Sequence, residues 1–199
     1  MKQILELEKY KLIKLAKVLT LSLEKDPLYI NLFPDENKRK KYLDRFFEMR
    51  IKYGLKYGRV YTISDKYEGV LIILPGEDVM TPIKVFRSGG IKLIGTLGRN
   101  NMKKLVDILD YLYTKEKLYM RDNFIKISLI GINPIYQNKG YGSHMIKYIL
   151  KQIEGQNISC YLETQNFINL NFYEKLGFKI LETGNMPVEN VSYWCMMKK

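Results

Sequence analysis

Apolar residues recur at helical spacing through the first third of the chain. Leu12, Leu15, Ala16, Leu19 and Leu23 trace one face, and Asp26-Pro27 ends that run. Residues 3–7 before it read either as a short strand or as the approach to the helix. Phe33-Pro34-Asp35 opens a new turn, and residues 38–57 form a second helix carrying Tyr42, Phe46, Phe47, Met49, Ile51 and Tyr53 among many cations. The pattern then changes. Residues 59–64 and 67–74 are apolar runs of strand length joined at Asp65-Lys66, a hairpin that Pro75-Gly76 closes. Ser88-Gly89-Gly90 and Gly95 are turn signals, and residues 103–118 return to helical spacing through Leu105, Ile108, Leu109 and Leu112. Residues 125–132 predict another strand, residues 157–163 the next. Residues 178–182 and 191–197 close the chain as strands around a turn at Thr183-Gly184-Asn185.

Between the strands at 125–132 and 157–163 lies the stretch with the most chemical content. Asn133-Pro134 leads into Gln137, Asn138, Lys139, Gly140, Tyr141, Gly142 and Ser143, and a helix opens directly from these residues through Met145, Ile146, Ile149, Leu150 and Ile153. Such a turn leaves backbone N–H groups unpaired at the positive end of a helix dipole, and its glycines let a ligand approach the backbone. The result is a cradle for a phosphate or pyrophosphate. The spacing is not that of a P-loop or of a full dinucleotide fingerprint, and alone it is equally consistent with a tight turn.

A second motif follows the next strand, in Asn166 and in Phe172-Tyr173-Glu174-Lys175-Leu176-Gly177-Phe178. Together with Gln137-x-x-Gly140-x-Gly142 it resembles the paired acetyl-CoA-binding motifs of the GNAT superfamily of N-acetyltransferases. The resemblance runs from Phe124 to the C-terminus. It implies an α/β sandwich with a mixed, splayed β-sheet flanked by helices, as the alternation of elements also suggests. The sheet is expected to open after the strand ending near Ile132, with the pantetheine arm in the gap against the backbone of Gly131 and Ile132. Residues 137–143 would hold the pyrophosphate. More loosely, Asp26-Pro27, Phe33-Pro34 and the basic aromatic helix resemble the branch similar to puromycin N-acetyltransferase. That branch often has a tryptophan near the end of its second strand, where this chain has Leu71-Ile72-Ile73-Leu74.

Acyl transfer to an amine needs a neutral nucleophile, a stabilised oxyanion and a proton for the departing thiolate. Tyr173 resembles the family tyrosine that protonates the sulfur, and the backbone N–H near Ile132 is the expected donor to the carbonyl. Asn166 resembles the motif asparagine that contacts the cofactor, with a plain helix cap as its alternative, and Asn169 is a further contact. Glu163, at the end of its strand, is the candidate base, against a solvent-facing or capping role. The expected reaction is acetyl transfer from acetyl-CoA, a cosubstrate, to a primary amine of a small molecule or peptide. The alternative is an inactive module that keeps the cofactor fold and binds nucleic acid on a basic face.

Composition narrows this only slightly. A chain of 199 residues fits a single domain, 1–199, in which 1–122 supplies the acceptor-site helices and 123–199 the acetyl-CoA half. Phe33, Phe46 and Phe86 are candidate acceptor-pocket residues. The formal charge of +12 rests on lysines scattered among Ile, Asn and Tyr, which favours a solvated surface over a nucleic-acid partner. No apolar run is long enough to cross a bilayer and no signal-peptide pattern is present, so the expectation is a cytoplasmic protein without a membrane partner, monomeric or homodimeric. Cys160 and Cys195 sit in apolar strands and read as buried thiols. His144, the one histidine, has no ligand-spaced partners, and no metal is expected.

Overall fold

The computed structural model describes residues 4–7, 12–120, 123–186 and 191–199. Strand β1 (Leu5–Glu6) is followed by helices α1 (Leu12–Leu23), α2 (Pro27–Leu32) and α3 (Glu36–Tyr57). Asp26 does more than stop α1. Its carboxylate caps α2 by accepting from Leu28 N at 3.0 Å, with Pro27 in the first helical position, where its missing N–H costs nothing. Asp35 caps α3 in the same way through Lys38 N. The aromatics of α3 pack inward. Phe46, Phe47 and Tyr29 form a cluster with ring centroids 5.3–6.1 Å apart, which accounts for this basic helix as core.

Strands β2 (Arg59–Thr62) and β3 (Gly69–Pro75) form the expected hairpin. The region between Pro75 and the next strand is more helical than the pattern suggests. Helix α4 (Pro82–Arg87) is capped by Thr81, and α5 (Gly90–Tyr119) runs through Gly95 and kinks at Gly98, whose φ of 73° suits glycine. Then come β4 (Phe124–Ile132), α6 (Tyr141–Ile153), β5 (Ser159–Thr164), the short α7 (Leu170–Glu174), β6 (Lys179–Asn185) and β7 (Ser192–Lys198). The turn expected at residues 183–185 is instead the end of β6, paired with Ser192, Tyr193 and Trp194 of β7. Three alternating polar and small residues look like a turn in sequence but are held extended by the cross-strand ladder.

The described strands form one mixed sheet in the order β1-β2-β3-β4-β5-β7-β6. Among them, only β4 and β5 pair in parallel. The continuous apolar run of β3 is buried on both faces: Val70, Ile72 and Leu74 join the core under α1, α3 and α5, while Leu71 and Ile73 join the core under α6. The two cysteines, Cys160 and Cys195, are buried free thiols, and burial pushes each up to about 12.

Two irregularities shape the centre of the sheet. The register of β3 against β4 shifts by one residue between Ile72 and Ile73, which leaves Ser128 as the extra residue of a bulge. The pairing of β4 with β5 ends at Ile127 opposite Leu162. Beyond that point the strands part, so residues 128–132 have β3 on one side and an opening on the other. The gap starts earlier along β4 than expected.

Candidate active site

The opening between β4 and β5 is the inner end of a cavity of about 780 Å³. One wall is Ser128, Leu129 and Ile130 of β4 with Glu163 and Thr164 of β5 and Tyr173 of α7. The opposite wall comes from the helices: Asp26 and Tyr29, Phe46 and Arg50, then Phe86, Ile91 and Ile94. Phe46 and Phe86 line the cavity as expected. Phe33 does not: it is 3% exposed in the core, edge-on to the Tyr42 ring.

Hydrogen bonding along β4 determines what faces the gap. Asn133 N–H donates to Glu68 O at 2.9 Å, and the antiparallel alternation then turns Leu129 and Gly131 toward β3 and Ile130 and Ile132 toward the opening. The Ile132 N–H is engaged by Ser22 Oγ of α1 at 3.1 Å. A Cβ on Gly131 would lie 2.9 Å from Leu19 Cδ2 and 3.1 Å from Ser22, so this glycine lets α1 approach the strand. Ser22, which the pattern of α1 does not mark, therefore stands at the mouth of the gap.

The turn before α6 has the predicted character. Asn138 and Gly140 both have positive φ, 58° and 79°, and open space surrounds a Cβ built on Gly140. Gly140 occupies the cap position without a side-chain cap, so the first amides of α6, at Tyr141, Gly142 and Ser143, meet no capping side chain. No acidic residue lies in that first turn. Gln137 donates from Nε2 to Ile132 O at 2.9 Å, tying the turn to the end of β4, and Lys139 Nζ folds back onto Ile135 O at 3.0 Å. Gly142 is constrained from the other side, because a Cβ there would meet Phe172 Cζ at 3.3 Å.

Asn166 uses its side chain as a cap, accepting from Ile168 N at 3.1 Å, and Asn169 Nδ2 donates to Thr164 Oγ1 at 3.2 Å. Asn169 lines the cavity and Asn166 does not. Tyr173 is buried, and burial drives its phenol well above the ordinary value, with the charge of Asp26 adding to the effect. It remains a protonated hydroxyl at any working pH.

Glu163 is the most perturbed carboxyl of the cavity. Burial first, then repulsion from Glu116, raises it to about 7, against the opposing pull of Lys126, Arg50 and a hydrogen bond from Tyr161 at 2.9 Å. Asp26, raised to about 6 by burial, is the second such group and escapes a sequence reading because it looks like a helix stop. The cations nearby are already committed. Lys126 Nζ donates to Glu116 Oε2 at 2.5 Å, and Arg50 donates to Ser128 Oγ on the bulge.

Residues 92–178 match the model of the acetyltransferase (GNAT) family, a span that holds both the α6 turn and the Tyr173 motif. That span is similar to a GNAT acetyltransferase domain. Solved structures agree on the fold. A Corynebacterium glutamicum chain described as histone acetyltransferase HPA2 and related acetyltransferase is 18% identical, with 100% of this chain and 96% of that one covered at a TM-score of 0.67. The ribosomal-protein-S18-alanine N-acetyltransferase of Escherichia coli gives 15% identity, 99% and 92% coverage and a TM-score of 0.55. A Bacillus subtilis acetyltransferase in complex with CoA gives 15%, 99% and 97%, and 0.51. At these identities the likeness is one of fold. The GNAT match begins inside α5, so it leaves α1 to α4, which carry the cavity-lining Tyr29, Phe46, Arg50 and Phe86, outside the matched span.

Proposed function

We propose that this GNAT protein is an acetyl-CoA-dependent N-acetyltransferase working in the cytoplasm, moving an acetyl group directly to a primary amine of a small molecule or peptide. One observation carries this reading: a single cavity brings together a carboxyl raised to about 7, a buried tyrosine hydroxyl and the parted edge of β4. The residues fit the cosubstrate. Uncapped amides at the start of α6 and the open space over Gly140 suit a pyrophosphate, and the gap beyond Ile127 suits an extended arm. When bound, acetyl-CoA supplies an activated acetyl whose C–S bond breaks as the new C–N bond forms.

The chain's own groups handle the protons. Glu163, as carboxylate, accepts the proton that the acceptor ammonium must lose before its nitrogen can attack. The Ile130 N–H faces the gap as an oxyanion donor; the Ile132 N–H acts with it through, or after release of, the Ser22 hydroxyl. Tyr173 delivers its proton to the departing sulfur. Its raised pKa keeps the proton in place but weakens it as an acid, so its assistance belongs at the lower end of the usual range of about 10²–10⁴. Asn169 and the turn at residues 137–143 position the cosubstrate.

The test is thiol release from acetyl-CoA with a panel of primary amines, in the wild type and in Tyr173→Phe. The expected result is amine-dependent release, with kcat in the variant lower by about 10²-fold and acetyl-CoA affinity nearly unchanged. A folded variant with wild-type turnover, where chemistry limits the rate, would remove Tyr173 from the reaction.

A further inference from the structure

The acceptor side of the cavity has a chemical character of its own. Five carboxyl residues line the cavity, Asp26, Asp78, Asp110, Glu116 and Glu163, against two cations, Arg50 and Lys126. The chain as a whole has the opposite balance, with 33 basic and 21 acidic residues. Lys126 is ion-paired with Glu116 and Asp78 with Lys84, whereas Arg50 donates to the neutral Ser128 hydroxyl and keeps its charge, leaving Asp26, Asp110 and Glu163 against it. A carboxylate or phosphate on the acceptor would therefore meet more acids than cations among the described lining residues, whereas an ammonium is complemented.

The walls leading outward are apolar. Phe86 of α4 and Ile91, Ile94 and Val106 of α5 line the cavity while remaining 61%, 60%, 50% and 43% exposed. Helix α4 buries none of its residues. Large apolar side chains gathered on one rim, rather than scattered singly, are expected where something covers them. Phe46 and Met102 continue the apolar surface inward.

We propose that the acceptor is a primary monoamine carried on a sizeable apolar body, an alkyl or arylalkyl amine, with its nitrogen at Glu163 and its body between α4 and α5. The assignment rests on the transfer reading above and names its substrate class. The acidic inner end selects the ammonium, and the apolar rim selects what it is attached to. A second charge at the far end, as in a diamine, would have to be desolvated against Phe86 and Ile91.

The experiment uses n-butylamine, n-hexylamine, n-octylamine, 1,8-diaminooctane and a peptide with a free N-terminus. Two readouts are taken: transfer with acetyl-CoA, and calorimetric binding of each amine without it. The expected result is kcat/KM rising about threefold to fourfold per methylene from butyl to octyl, as burial of a methylene predicts, with the diamine at least about tenfold below n-octylamine. Binding should show the same slope. Ile91→Ser and Phe86→Ser, at exposed positions and checked for folding by thermal melt, should flatten it. A flat series, a diamine or peptide preferred over n-octylamine, or an unchanged slope in both variants overturns the proposal. If acetyl-CoA binds and only the diamine or peptide is acetylated, the pocket assignment fails and the transfer reading stands. If amines bind with the expected slope but acetyl-CoA does not bind, the transfer reading fails and the pocket assignment stands.

Discussion

At the scale of single residues, the function proposed for Glu163 comes with a cost. Burial holds its carboxyl near 7, whereas the unfolded chain would titrate it near 4.5. Between these values the folded state keeps a proton that the unfolded state has lost, so stability falls as pH rises from 4.5 to 7 and stays reduced above. The shift corresponds to about 3 kcal/mol. Glu163→Gln keeps the oxygen that accepts from Tyr161 but cannot ionise. Thermal melts should show the variant several degrees more stable at pH 8 and no more stable at pH 4. In the same variant, transfer should lose the rise in kcat/KM through pH about 7 that deprotonation of Glu163 gives the wild type. A stability gain equal at both pH values would mean that the carboxyl is not perturbed in the fold.

At the scale of elements, the split between α6 and α4 shows what a sequence carries. The strand β4, the glycine turn and α6 were legible because each depends on neighbours a few residues away: an apolar run, two positive-φ positions and a helical stripe. Helix α2 was hidden behind Asp26-Pro27, which is a stop for one helix and a start for the next. Of the helical wall of the cavity, only Phe46 and Phe86 were legible. The cavity depends on contacts such as Arg50 with Ser128, 78 residues apart, and Ser22 with Ile132, 110 apart. No local pattern encodes those. The part of the site that was readable can be tested on α6 itself, at Ser143. An acid in the first helical turn stabilises a helix by about 0.3–1 kcal/mol, yet the same charge repels a pyrophosphate held by the uncapped amides. Ser143→Glu should therefore raise the melting temperature slightly while weakening acetyl-CoA binding on the order of 10²-fold by calorimetry. A more stable variant with unchanged affinity would show that the turn at residues 137–143 holds no phosphate.

At the scale of the whole molecule, the two halves meet along the β3–β4 pairing, and their charges point in different directions. The cavity lining is acidic, whereas the chain carries +12 overall. That arrangement suits a reaction between an anionic cosubstrate and a cationic acceptor, because each sees a different field. On the proposed transfer reading, the acetyl-CoA phosphates would respond to the long-range potential of the whole surface. The acceptor ammonium would respond to carboxylates within a few ångströms, after it has entered. Salt distinguishes the two: at 0.15 M the Debye length is about 8 Å, so distant surface charge is screened while partly buried pairs are screened far less. Raising the ionic strength from about 0.02 to 0.3 M should slow acetyl-CoA association several-fold in stopped-flow measurements, leaving its dissociation rate nearly constant. Binding of n-butylamine over the same range should change by much less than the cosubstrate rate. Equal salt sensitivity of both would place the acidic groups in the open field of the surface and remove the separation of roles.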